Sequence, residues 1–197
     1  VYEQRFQDQF MDILRLFFNQ IGNAMVAVLG PNGGVYIECP NGLFFDIESQ
    51  TVDGVNTATP IKFRQSYLTN AVSVVNNSKI RVATGGVYNF QFSGQLTSTN
   101  SSSKQVYIWI KRDSDPIGYS THAYTISGNG TQQEVSWNFN IDMLEGQTIE
   151  LEWASDSTAV ALSATAATAP HPGVPSAVMA VNFIAPLPDT LPTPPTP

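Results

Sequence analysis

The side chains best suited to acid–base, nucleophilic or metal chemistry are few: two histidines, one cysteine and 16 carboxylates in 197 residues. His122 and His171 stand far apart, and neither has a partner at a metal-ligand spacing. His122, in the run Ser120 to Tyr124, reads as a strand residue. His171, between Pro170 and Pro172, reads as an exposed turn, with an interface or ligand contact as the alternative. Glu150 and Glu152 alternate with Ile149, Leu151 and Trp153, which places both carboxylates on one strand face, expected to be the solvated one, with Glu145 at the turn before them. A glycosidase needs two carboxylates converging across a cleft with separated pKa values, and one strand does not supply that. Asp113, Ser114 and Asp115 before Pro116 form a hairpin-turn pattern in which cation binding is the alternative. Cys39 cannot form an intrachain disulfide, so stability must come from packing or oligomerisation. These residues predict no enzyme, no metal site and no cofactor.

Charge narrows the partners. Nine Lys and Arg are scattered along a chain of formal net charge −7, whereas a nucleic-acid surface needs clustered basic residues, so no nucleic-acid partner is expected. Charged residues make up 13%, against about 25% in ordinary soluble domains. The polar but uncharged remainder suits β-rich structural and extracellular modules, and 42% hydrophobic residues are enough for a core. The apolar stretch Ile13 to Leu29 is interrupted by Arg15, Asn19, Gln20 and Asn23, so neither a signal peptide nor membrane insertion is expected. Three glycosylation-acceptor patterns, beginning at Asn76, Asn100 and Asn129, mark exposed turns.

Four regions would have to position these groups. In residues 1–30 the apolar residues recur at helical spacing, Phe6, Phe10, Ile13, Phe17 on one line and Phe10, Leu14, Phe17, Ile21 on another. The pattern is too short to hold a helix alone in water, so its aromatic face must bury against its own copies, the β domain or a larger particle. Residues 31–59 read as a joint: turn formers at Pro31 to Gly34, then short β-like pieces at Val35 to Ile37 and Leu43 to Ile47, then a polar connection. Residues 60–186 are a succession of strands. Period-two alternation is plain at Val87 to Ser93, Val106 to Ile110, Val135 to Ile141 and Ile149 to Trp153. Further strands are expected at Ile61 to Leu68, Val72 to Val75, Lys79 to Ala83, Ile117 to Ile126, Val160 to Thr165 and Ala177 to Ile184. With no helical period between them they predict an antiparallel sandwich. Residues 187–197, with five prolines, read as a loose polyproline-like tail.

The order of these signals resembles the C1q/TNF-like jelly roll. Gly85-Gly86-Val87-Tyr88-Asn89-Phe90 is similar to that family's Gly-x-Tyr-x-Phe strand, Val106 to Arg112 to its next strand, Leu144 to Leu151 to its Leu-x-x-Gly-Asp-x-Val-x-Leu turn, and Met179 to Ile184 to its closing central strand. Gln147 stands where the family usually has Asp, Asn182 replaces a common Gly, and an Ala/Thr/Pro-rich stretch, 164–175, precedes the last strand. The resemblance therefore implies the fold and a homotrimer, with aromatic and aliphatic residues buried on the threefold axis, but no calcium site. The layout of short anchor, Gly-rich joint and uncharged head also resembles structural proteins of tailed phages, especially of marine bacteria.

Together these readings lead to the expectation of a mainly β, antiparallel jelly-roll sandwich with an N-terminal amphipathic helix, trimeric, serving as a structural phage virion protein. It would be a head fibre, capsid decoration or tail-associated knob, partnered with other virion proteins and assembled in the host cytoplasm. Anchoring and oligomerisation fall to Phe6, Phe10, Ile13, Leu14, Phe17 and Ile21. The alternative is an adhesion module whose loops, at Asn100, Asp113, Asp115, Asn129 and His171, recognise a host-surface glycan or protein. Tyr107, Tyr119 and Tyr124 could then stack on sugar, although burial in the sandwich is the expected fate of any one of them.

Overall fold

The computed structural model describes residues 2–29 and 39–188. The joint's Pro31 to Gly34, the piece Val35 to Ile37 and nearly all of the Pro-rich tail lie outside the described residues. Two compact units divide the chain, one ending at Cys39 and the other beginning at Pro40.

The first unit is a helix, α1 (Tyr2–Leu29). It runs past Ile21, the last residue of the heptad lines, because Gly22 and Asn23 are followed by further good helix formers, and no proline intervenes before Pro31. Phe10, Ile13, Phe17 and Ile21 are exposed and Leu14 is half-buried, while the side chain of Phe6 lies outside the described residues.

The second unit is an antiparallel sandwich. Its first strands are β1 (Asn41–Asp46), β2 (Gln50–Thr51), β3 (Thr59–Pro60), β4 (Gln65–Asn70) and β5 (Val72–Val75). There follow β6 (Lys79–Val82), β7 (Gly86–Ser98), β8 (Lys104–Arg112), β9 (Asp115–Pro116) and β10 (His122–Ile126). The chain closes with β11 (Thr131–Met143), β12 (Thr148–Ser155), β13 (Val160–Leu162) and β14 (Ala177–Ala185). One sheet has the main order β11-β7-β14-β1-β4, and the other β10-β8-β12-β6-β5. The long strands thus pair as β1 with β14, β14 with β7 and β7 with β11 in one layer, and β6 with β12, β12 with β8 and β8 with β10 in the other. That is jelly-roll order, and it follows from the alternating pattern: Tyr88, Phe90, Phe92 and Leu96 point into the core while Asn89, Gln91 and Ser93 point out. Trp153, Phe44, Phe63 and Ile108 complete a core whose large side chains each contribute about 1.5–3 kcal/mol on burial.

Several expectations change. The sandwich begins inside the stretch read as a joint, because β1 pairs on both sides, with β14 and β4, and buries Phe44 completely. Ile61 and Phe63 fill the core from an extended segment, and the strand expected there starts later, at Gln65. The strand expected from Ile117 shortens to β10, since Ser120 Oγ accepts from Ile110 N–H and donates to Ile117 C=O, holding a turn. Glu150 and Glu152 share the outer face but are shielded from solvent there: β12 lies between β8 and β6, Glu150 is buried with Ser78 Oγ donating to it, and Glu152 accepts from Lys111 Nζ at 2.9 Å. Tyr119 and Tyr107 are exposed, against the burial expected of them, and only Tyr124 is half-buried.

Candidate interaction surfaces

The recognition positions read from the sequence are scattered, and most are engaged in their own turns. Asn100 and Asn129 share one end of the sandwich, where Gly130 N–H donates to Ser98 C=O at 2.8 Å. Asn100 Oδ1 already accepts from Ser102 N–H and Oγ, at 2.9 and 2.8 Å. Asp113 lies at the other end of β8, where its Oδ1 accepts from Thr148 N–H at 2.7 Å, and a positive φ of 50° marks it as a turn residue. Asp115 is exposed in β9. His171 tips an arm between β13 and β14 that is braced by reciprocal backbone bonds between Thr165 and Val174, at 2.9 and 2.8 Å. Its Nδ1 lies 3.0 Å from Pro172 C=O. His122 packs tilted against Trp137, ring centroids 4.2 Å and planes 35° apart, and Trp137 packs on Phe139. Burial pushes the Tyr124 phenol, beside them, above the ordinary tyrosine range. At the turn after β11, Gln147 Oε1 accepts from Leu144 N–H at 2.8 Å, so an amide closes the turn where the resemblance placed a carboxylate. Among the described residues, no group of three or more His, Cys, Asp or Glu is placed to hold a metal ion, and no helix is long and apolar enough to cross a membrane.

The outer faces of the two sheets differ in charge. The strands of the β6–β12–β8 sheet carry Lys79, Arg81, Lys104, Lys111 and Arg112, together with Glu150 and Glu152. The strands of the β7–β14–β1 sheet carry no Lys or Arg, and their charges are buried Asp46 and, on β11, Glu134 and Asp142. Val178, Ala180, Leu43 and Phe45 lie outward on β14 and β1. They run into an apolar groove of about 670 Å³ between these strands and the 164–175 arm, with Ile47 and Val174 at its wall.

A sequence reading does not find the most ordered feature of this face. Asn140 on β11 lies opposite Asn89 on β7, and Asn89 lies opposite Asn182 on β14. The register that sets Asp46 opposite Ala177 carries along β1 to bring Asn41 beside Asn182, held by Phe183 N–H donating to Pro40 C=O at 2.9 Å. Asn41 in turn lies opposite Asn70 on β4. Five asparagines therefore stand in one row across five neighbouring strands. Asn89 Nδ2 donates to Asn138 Oδ1 and Asn140 Oδ1, and its Oδ1 accepts from Gln91 Nε2 at 2.9 Å. The outer face of this sheet thus mixes amides with the aliphatic Leu43, Val178 and Ala180.

No protein-family model matches the sequence, and no curated protein does so either. Among solved structures, the globular domain of zebrafish complement 1qA protein is similar, at 15% identity and a TM-score of 0.47, over 76% of this chain and 99% of that one. The jelly-roll assignment rests on the strand order.

Proposed function

We propose that this chain is a non-catalytic display module, a homotrimeric jelly-roll head whose N-terminal helix docks it on a larger assembly. The observation that carries the reading is that the outer faces of β7, β14 and β1 bear no charged side chain, the sheet's outward charges being Glu134 and Asp142 on the flanking β11, in a chain of net charge −7 whose other sheet bears all the strand lysines and arginines. Charge depletion with interspersed aliphatic residues is the composition of an interface core. The exposed Phe10, Ile13, Phe17 and Ile21 of the helix support a docking role, since an apolar helix face gains by burial against a partner. In its fuller form the assembly is a phage particle, with the chain as head fibre, capsid decoration or tail-associated knob, assembled in the host cytoplasm. The layout of anchor, joint and head supports that form. Sedimentation of the full chain should give three times 21.4 kDa, and a monomer at micromolar concentration sinks the trimer. Deleting residues 1–30 should leave the trimer and abolish incorporation into particles; normal incorporation would refute the anchor.

A second reading, recognition of a host-surface glycan or protein, is favoured by Tyr119, which is 86% exposed with a φ of 58° on the loop after β9. An exposed aromatic ring is the usual platform for a sugar face. A glycan array probed with the trimer tests it, and the absence of binding at high concentration would remove this reading and leave the structural one.

A further inference from the structure

We infer that the outer face of β8, centred on Tyr107 and Trp109, is a binding site for an uncharged glycan chain. This rests on the recognition reading above and moves its contact from the loops to a sheet. Val106, Ile108 and Ile110 are buried, so Tyr107, Trp109 and Lys111 project from the other side of the strand. Tyr107 is 39% exposed, and its cross-strand neighbours are Ala123 on β10 and Ala154 on β12, whose methyl groups are too short to cover the ring. Trp109 is half-buried and stands two residues on, about 7 Å along the strand, which sets two aromatic side chains on one line.

The rim selects the occupant. Trp109 lies opposite Glu152, whose carboxylate accepts from Lys111 Nζ at 2.9 Å, so this pair beside the rings carries no net charge. Beyond Tyr107, Gln105 Nε2 donates to Thr125 Oγ1 at 3.0 Å. A nucleic acid needs clustered cations and an apolar helix needs a continuous aliphatic groove, and this strip offers neither. A sugar ring has an apolar C–H face and an edge of hydroxyls. The first fits an open aromatic ring, and the second fits the amide, hydroxyl and carboxylate around it and the polar tips of Tyr and Trp. In the trimer proposed above, the β7–β14–β1 face meets the other copies, which leaves the β8 face, on the opposite sheet, turned outward.

The test uses the full chain in native electrophoresis through gels containing hydroxyethylcellulose, galactomannan or laminarin, with alginate as the charged comparison. Circular dichroism and thermal melting establish that each variant folds. Wild type should be retarded by at least one neutral polymer and not by alginate, and titration with that polymer should shift its Trp fluorescence. Tyr107→Ala and Trp109→Ala should each weaken the retardation at least tenfold, whereas Ser73→Ala, exposed on β5 of the same sheet, should leave it unchanged. Retardation that survives in both β8 variants would overturn this inference and leave the recognition reading standing, and so would retardation by alginate alone. A wild type retarded by none of the four polymers would overturn both.

Discussion

Arg64 Nη1 donates to Asp46 Oδ2 at 2.6 Å, and the Asp46 side chain is wholly buried while that of Arg64 is 25% exposed. The pair sits where β1 breaks off before β2 and where the 164–175 arm leaves the sheet. There Gln50 Nε2 donates to Lys62 C=O and Gln50 Oε1 accepts from Lys62 N–H, at 2.9 and 2.8 Å, and Ser176 Oγ donates to Glu48 C=O at 2.7 Å. Removing one partner of a buried ion pair strands the other charge, at about 3–5 kcal/mol, a figure reduced here because Arg64 reaches solvent and keeps Glu48 Oε2 at 3.3 Å. Asp46→Ala should therefore lower the urea midpoint by the equivalent of about 2–4 kcal/mol with an unchanged m value. A loss below about 1 kcal/mol would mean that water replaces the carboxylate.

Glu150 makes a related prediction from the opposite sheet. Its carboxylate is buried at the centre of β12, receives the Ser78 hydroxyl, and lies in register with Lys79 and Lys111. Ser78→Ala should cost about 1–3 kcal/mol in chemical denaturation, because the acceptor stays buried without its donor. Combining it with Glu150→Leu should recover part of that loss, since both polar ends are then gone. If the double variant is as unstable as the sum of the two single ones, Ser78 and Glu150 do not act as a pair.

The strands that show in the sequence are those with one wet face. At Val87 to Ser93 and Val135 to Ile141 the alternation of residue types is the alternation of burial, so β7 and β11 could be read directly. On β12 the same alternation misleads, because pairing on both sides and the Ser78 turn shield Glu150, and a strand's neighbours are not written in its own residues. β1 could be read only from Leu43, because Pro40-Asn41-Gly42 has turn composition although Gly42 is required by space: a Cβ there would lie 3.2 Å from Val72 Cγ1 and collide with the Phe44 ring. Two-residue strands such as β2 and β3 have no period to read. The asparagine row is the extreme case. Positions 41, 70, 89, 140 and 182 have no sequence relationship, and only the register of five strands aligns them.

Gly86 tests the tightness of that register where β7 meets the end of β14. A Cβ there would overlap the Phe183 ring and come within 3.0 Å of Ala185 C=O, at the bulge between Phe183 and Ala185. Phe183 packs edge-on against Tyr88, centroids 5.5 Å apart, so its ring cannot swing away freely. Gly86→Ala should destabilise by about 1–3 kcal/mol through overpacking, read as a lowered Tm. Adding Phe183→Leu should restore part of it by making room, and no rescue would place the strain in the backbone instead.

Tyr124 gives the chain a pH dependence of definite sign. Burial raises its pKa above the ordinary value of 10.0, and its hydroxyl donates to Ser136 C=O at 3.4 Å, tying β10 to β11 across the open edge of the sandwich. In the unfolded chain the phenol ionises near its ordinary value, whereas in the folded chain it holds its proton to higher pH. The folded state thus binds more protons in that window, and stability falls as pH rises past 10. Below that value the contribution is fully present. Urea midpoints followed from neutral pH through that window should decline more steeply for wild type than for Tyr124→Phe, which has no proton to lose. The variant should start slightly less stable, by about 0.5–1.5 kcal/mol for the lost hydrogen bond, and the two curves should converge at high pH. Parallel curves would mean that the Tyr124 hydroxyl is as well solvated in the folded chain as in the unfolded one.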